Sequence, residues 1–182
     1  MVEAGVTEDK EKVGIGLLDV MYAVVLTYGF ERIDSVKGWI NFLLFLFTVT
    51  IIALDWFHAH YEYLDRKKKR KYYAVFFLDL VILFVFSRLI YTSITGLTEF
   101  WLWMFCLFLF YALWDLVWLK LMEKDDEWWH SFLVDLLCFV GYVVFYYFIA
   151  NQVIKCSDWL ILIGCVPYAF AYWIWPKGKY PK

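Results

Sequence analysis

The sequence predicts an all-α polytopic membrane protein with six transmembrane helices and both termini in the cytoplasm, forming one domain over residues 1–182. Three observations carry that expectation. Hydrophobic residues make up 64% of the chain and aromatics 24%, where a soluble domain is about half apolar. The apolar residues gather into six continuous stretches, near 14–31, 39–63, 72–92, 98–121, 128–150 and 157–175. The basic residues lie almost entirely on one side of those stretches.

The first stretch, GLLDVMYAVVLTYGF, follows a polar dozen, MVEAGVTEDKEK, with no short apolar run and small-residue cleavage site, so no cleavable signal is expected. It is close to the shortest run that spans hydrocarbon, about 17 residues, and the other five are nearer the usual 20 or so. All six are apolar throughout rather than alternating, which selects helices over barrel strands. The fourth, WLWMFCLFLFYALW, is bulky and free of small residues through its middle, and is expected to face lipid. The first and sixth carry the small residues Gly14, Gly16, Ala23, Gly29, Gly164, Ala169 and Ala171, which permit close helix contact and a homo-oligomer built through them. The connections are short, so successive helices should be antiparallel neighbours.

Loop charge sets the orientation. With the N-terminus inside, the inner segments hold Lys10, Lys12, Arg66, Lys67, Lys68, Lys69, Arg70, Lys71, Lys120, Lys124, Lys177, Lys179 and Lys182, while the outer loops hold Arg32, Lys37 and Lys155. That asymmetry is the positive-inside pattern. Tryptophans mark both interfaces: Trp39, Trp101, Trp103 and Trp159 at outer helix ends, and Trp118, Trp128, Trp129, Trp173 and Trp175 at inner ones. The run from Arg66 to Lys71 is a topology determinant, and a lipid-facing basic loop of this kind also attracts anionic headgroups. Arg88, the one cation well inside a span, lies near the outer end of the third helix, where it either snorkels or, the preferred reading, pairs with Glu99 or Glu31.

Five helices carry an aspartate in their inner third: Asp19, Asp55, Asp79, Asp115 and Asp135. An acidic group in hydrocarbon is costly, and Asp is too short to reach the interface from that depth. These carboxylates therefore face the bundle interior, where they either join helices through polar partners or line a wet vestibule or proton relay. Candidate partners are Lys120, His130, tyrosine hydroxyls or water. Trp56 and His60 are four apart on the second helix, hence on one face, at the depth of Asp19. An indole N–H and an imidazole beside a carboxylate make a satisfied latch between two helices.

Several functions are excluded by what is missing. A net charge of −2 gives no basic footprint for nucleic acid. There is no HExxH, and His58 and His60 are two apart, so they point to nearly opposite sides of a helix and cannot jointly hold a metal. Asp19 has no GxGD setting, no serine sits in a GxSxG elbow, and no glycine-rich phosphate loop occurs. Cys106, Cys138, Cys156 and Cys165 form no CxxC pair, and three of them lie within predicted helices as packing residues. No enzyme activity, metal or other cofactor is expected. There is also no arginine-repeat voltage sensor and no TVGYG-like filter.

The first two helices resemble those of the endolysosomal and prokaryotic potassium-leak channel family. That family's first helix carries R-x-x-x-F-S-D-G with a Thr eight residues after the Asp, and its second helix ends in W-x-x-x-H. Asp19 and Thr27 match the first pattern, and Trp56 and His60 match the second. Leu17 and Leu18 replace Phe-Ser, Val20 replaces Gly, and Val13 stands at the arginine position with Lys12 beside it. The match covers the first two helices alone. The resemblance implies a six-helix subunit, a tetramer of such subunits or a dimer of two-repeat chains, and a latch that holds a pore-lining first helix.

Residues Val24, Thr27, Tyr28 and Glu31 recur at helical spacing on a face away from Asp19 and are the candidate pore lining. A hydrophobic constriction near Val24 would gate by dewetting, and a ring of Glu31 would concentrate cations at the mouth. Packing against lipid or another helix is the competing account of this face. The expected function is an oligomeric, potassium-permeable cation channel in the cell membrane, or in an endomembrane if the source is eukaryotic, with lipid and monovalent cations as partners. The alternatives are a proton-coupled transporter that uses the aspartate layer, and a non-conducting subunit that presents its basic loop to a partner.

Overall fold

The computed structural model of the chain describes residues 2–64, 72–121, 126–151 and 164–166. Five long helices account for nearly all of them: α1 (Val2–Phe30), α2 (Trp39–Leu64), α3 (Tyr72–Thr95), α4 (Leu97–Leu121) and α5 (Asp126–Ala150). Among the described residues there is no strand. Four of the helices contain a segment long and apolar enough to cross a membrane: Trp39–Phe57, Val75–Thr95, Thr98–Val117 and Ser131–Ala150. Of the expected sixth stretch, residues 164–166 are described and are helical, and the remainder lies outside the described residues. The α1 helix starts at Val2, well before the apolar stretch near 14, so the polar N-terminal segment is helical too.

The connections are as short as the sequence suggests. Between α1 and α2 the chain makes one 3₁₀ turn, Ile33–Ser35, and enters α2 through Gly38 at φ 83°. That left-handed conformation is open to glycine without steric cost. Gly96 alone separates α3 from α4. It is hydrogen-bonded into both, its N–H to the Thr92 carbonyl and its carbonyl to the Phe100 N–H. So tight a reversal lays α3 and α4 side by side.

In the bundle α4 packs most extensively on α5 and α3, α3 also packs on α2, and α1 rests on α2 and α3. Two helices, α3 and α4, are therefore enclosed. From α3 come Val75, Ile82, Leu83, Val85, Phe86, Leu89 and Ile90, and from α4 Phe100, Trp101, Met104, Leu107 and Phe108, all buried. This overturns the expectation that α4 faces lipid. Its large side chains fill the space between neighbouring helices, and bulk alone says nothing of direction when both surroundings are apolar.

An aromatic stack joins α4 to α5. Tyr142 lies between Trp101 and Phe108, stacked on each with centroids 5.9 and 5.2 Å apart. Trp101 and Phe108 are seven residues apart, two helical turns on one face. The Tyr142 hydroxyl donates to the Gly164 carbonyl at 2.7 Å, which brings residues 164–166 onto the same stack. Three buried hydroxyls bond back into their own helix. Thr48 donates to the Leu44 carbonyl at 2.8 Å, Thr92 to Arg88 at 2.8 Å and Ser93 to Ile90 at 2.7 Å. In a bilayer such internal satisfaction replaces water.

Small residues are used unevenly. A Cβ on Gly29 would meet Ile90 Cδ1 at 3.1 Å, and one on Gly164 would fall 2.5 Å from Trp101 Cη2. Gly16, on the exposed side of α1, has nothing within 4 Å. Gly164→Ala is expected to lower stability by about 1–3 kcal/mol, the usual cost of overpacking. Gly16→Ala should raise it by about 0.5–1 kcal/mol through helix propensity. Thermal unfolding of the detergent-solubilised protein measures both.

Candidate functional site

All five aspartates sit near one end of the bundle. Asp55, Asp79, Asp115 and Asp135 each fall within four residues of the end of an apolar span, at Phe57, Val75, Val117 and Ser131. Because neighbouring helices alternate in direction, this is the end that carries the α2–α3 and α4–α5 connections. Asp79, Asp115 and Asp135 are buried, and Asp19 and Asp55 half-buried.

Their partners come from other helices. Trp56 Nε1 on α2 donates to Asp19 Oδ1 on α1 at 2.8 Å. One turn further along α1, the Tyr22 hydroxyl donates to Asp55 Oδ2 at 2.5 Å. The other oxygen of Asp55 accepts from the Tyr111 hydroxyl of α4 at 2.7 Å, so that carboxylate bridges α1, α2 and α4. Trp114 Nε1 of α4 donates to Asp79 Oδ1 of α3 at 2.9 Å. Ser131 of α5 donates to Asp115 Oδ2 of α4 at 2.6 Å. Asp135, one turn beyond Ser131 on α5, is buried as well.

The donors have a common character. Indole N–H and phenol O–H groups ride on large apolar bodies, so each can satisfy a carboxylate without adding a charge to the bundle. Tyr22, Tyr111, Trp114 and Ser131 were not individually identifiable as partners from sequence. A signal for Trp114 does exist, since Ala53-Leu54-Asp55-Trp56 on α2 and Ala112-Leu113-Trp114-Asp115 on α4 are near-copies with the last two residues exchanged. The side chain of His60 and the whole run from Arg66 to Lys71 lie outside the described residues. No group of three metal-ligating side chains comes together among the described residues.

The candidate pore residues occupy the opposite side of α1. Leu18, Tyr22, Val25 and Gly29 form its buried face. Val20, Val24, Thr27 and Glu31 form an exposed one, with Val24 62% accessible. Tyr28 lies between the two faces, half-buried, with its ring under the Arg32 guanidinium. Arg88 makes no ion pair with Glu31 or Glu99, contrary to expectation. Its guanidinium lies over the rings of Tyr91 and Trp103 at 5.2 and 5.3 Å. Exposed acidic side chains at a helix end have water, whereas a guanidinium within an apolar span gains from aromatic faces.

Comparison with known protein families, characterised proteins and solved structures finds no match to this chain. The physical description of the site therefore stands on its own residues. Trp114→Phe and Tyr111→Phe each remove one neutral donor from a carboxylate in the bundle. Each is expected to lower unfolding free energy by about 1–3 kcal/mol, the cost of removing a partner from a buried polar group, as measured by denaturant unfolding in detergent.

Proposed function

We propose that the chain is the subunit of an oligomeric, potassium-permeable cation channel whose conduction path runs along the exposed face of α1. The observation that carries this reading is the division of α1 into two faces. One is held against α2 through Trp56–Asp19 and Tyr22–Asp55. The other exposes Val20, Val24, Thr27 and Glu31 in one stripe that passes from apolar through hydroxyl to acid. A lipid-facing stripe has no physical need for that gradient. Around a closed oligomer axis it yields an apolar constriction at Val24, a hydroxyl ring at Thr27 and an acidic mouth at Glu31, the components of a dewetting gate with cation preference. The resemblance of the first helix pair to the potassium-leak family points the same way and implies a tetramer.

A second reading rests on a different observation, the burial of Asp79, Asp115 and Asp135 near one end of the bundle. Carboxyls enclosed in an apolar bundle are groups through which a proton-coupled transporter exchanges a proton with a cation or with water.

Potassium flux into liposomes, with sodium and chloride gradients as controls, separates the two. The channel reading expects selective cation flux that Val24→Asn or Thr27→Ala alters by several-fold, and a lower yield of folded oligomer for Trp56→Ala. An oligomeric sample that stays silent, or flux indifferent to both α1 substitutions, removes it. The transport reading expects flux that varies with pH in the wild type and loses that dependence in Asp135→Asn. Flux that is unchanged across pH in both proteins removes it.

A further inference from the structure

Away from the aspartate layer, at the other end of the bundle, two arginines converge on one aromatic ring. Arg32, in the turn after α1, places its guanidinium carbon 4.5 Å from the Tyr28 ring centre and 5.8 Å from that of Tyr91. Arg88 of α3 lies 5.2 Å from Tyr91 and 5.3 Å from Trp103 of α4. Tyr91 is thus shared by both cations, and three elements meet around it. The rings hold the guanidinium groups through their π-faces and leave the N–H edges free to point elsewhere.

Nothing in the described protein takes those N–H groups. Neither guanidinium forms a hydrogen bond or an ion pair with a described residue, the bonds of Arg32 and Arg88 being those of their backbone. Glu31 and Asp34, which flank Arg32 in sequence, and Glu99 at the start of α4 are exposed and pair with neither. Arg88 is half-buried and belongs to the apolar span that ends at Thr95, so its backbone lies about 10 Å inside that end at 1.5 Å per residue. A guanidinium at that depth reaches toward the interface for an acceptor. The acceptor that bilayers offer there is a phosphate oxyanion, whose geometry the planar fork of arginine matches two bonds at a time.

We propose that Arg32 and Arg88, oriented by the shared ring of Tyr91, form a binding site for a phosphate oxyanion at the membrane–water interface. A lipid headgroup and free phosphate present the same oxygens, and the site is independent of whether the chain conducts. The exposed carboxylates Glu31, Asp34 and Glu99 outnumber the two arginines at this end of the bundle, so binding depends on directed N–H donors rather than on a general positive field. Lysine, which keeps the charge but not the fork, is therefore a poor substitute.

The test is native mass spectrometry of the full-length protein in detergent, titrated with phosphatidylglycerol or phosphatidylcholine, alongside thermal shift with inorganic phosphate. The wild type should retain lipid through purification-grade dilution, or be stabilised by millimolar phosphate. Arg88→Gln and Arg32→Gln should each weaken that binding about tenfold, the loss expected for one charge-assisted hydrogen bond, and Arg88→Lys should restore little of it. Retention of both lipids identifies the phosphodiester as the ligand, and an effect of phosphate alone identifies the free ion. Arg32 is exposed beyond the helix end, so Arg32→Gln leaves the bundle intact and keeps the test decisive if Arg88→Gln misfolds. Lipid retention unchanged in Arg32→Gln and in folded Arg88→Gln would place the lipid elsewhere, on the basic run from Arg66 to Lys71, and overturn the proposal. So would a wild type that binds neither lipid nor phosphate.

Discussion

A carboxylate in an apolar bundle must be met by a donor from somewhere, and in this chain the donors come from neighbouring helices. Trp56 serves Asp19, Tyr22 and Tyr111 serve Asp55, Trp114 serves Asp79, and Ser131 serves Asp115. These bonds link α1 to α2, α2 to α4, α3 to α4 and α4 to α5. Helices in lipid gain little by hiding apolar surface from one another, because lipid tails are just as apolar. Polar links of this kind, each of roughly 0.6–2 kcal/mol, then discriminate among rotations and registers that apolar packing leaves nearly equal. The rest of the packing follows from the rotation they select.

The arrangement repeats with a variation. In the α1–α2 hairpin and in the α3–α4 hairpin, an indole on the second helix donates to an aspartate on the first. On both α2 and α4 the indole and a second aspartate are adjacent in sequence, but in opposite order: Asp55-Trp56 and Trp114-Asp115. One residue along a helix is a rotation of about 100° at 3.6 residues per turn, so the donor reaches the preceding helix while the acceptor also reaches a further one. On α2 that acceptor collects hydroxyls from α1 and α4, and on α4 it collects one from α5. Two adjacent polar residues thus let one helix hold several neighbours at a single depth.

The consequence for α1 is a fixed rotation. With Tyr22 and Asp19 committed to α2, and Gly29 pressed against Ile90 of α3, the helix has no freedom to bury Val24 or Thr27. Its outward stripe is a product of the polar layer, whatever covers that stripe. Across the bundle, the stack of Trp101, Tyr142 and Phe108 does for α4 and α5 with aromatic faces what the aspartates do with hydrogen bonds. Packed between α3 and α5, α4 is the filling of the bundle rather than its outer wall.

By itself the sequence determined that the chain is helical and apolar enough for a membrane, where most of its helices begin and end, and that its aspartates lie at one depth. Those follow from run length and composition, which are local properties. Only the tertiary structure decided that α4 is enclosed, that Trp114 and Tyr111 are donors to Asp79 and Asp55, and that Arg88 rests on Tyr91 and Trp103 instead of pairing with Glu99 or Glu31. The reason is physical. In a soluble helix the polar face points to water and names the buried one, but here the outward faces carry large apolar side chains as the interior does, so the sequence carries no such contrast. Which way each side chain points then depends on the rotation of whole helices, and that is settled by contacts between residues tens of positions apart.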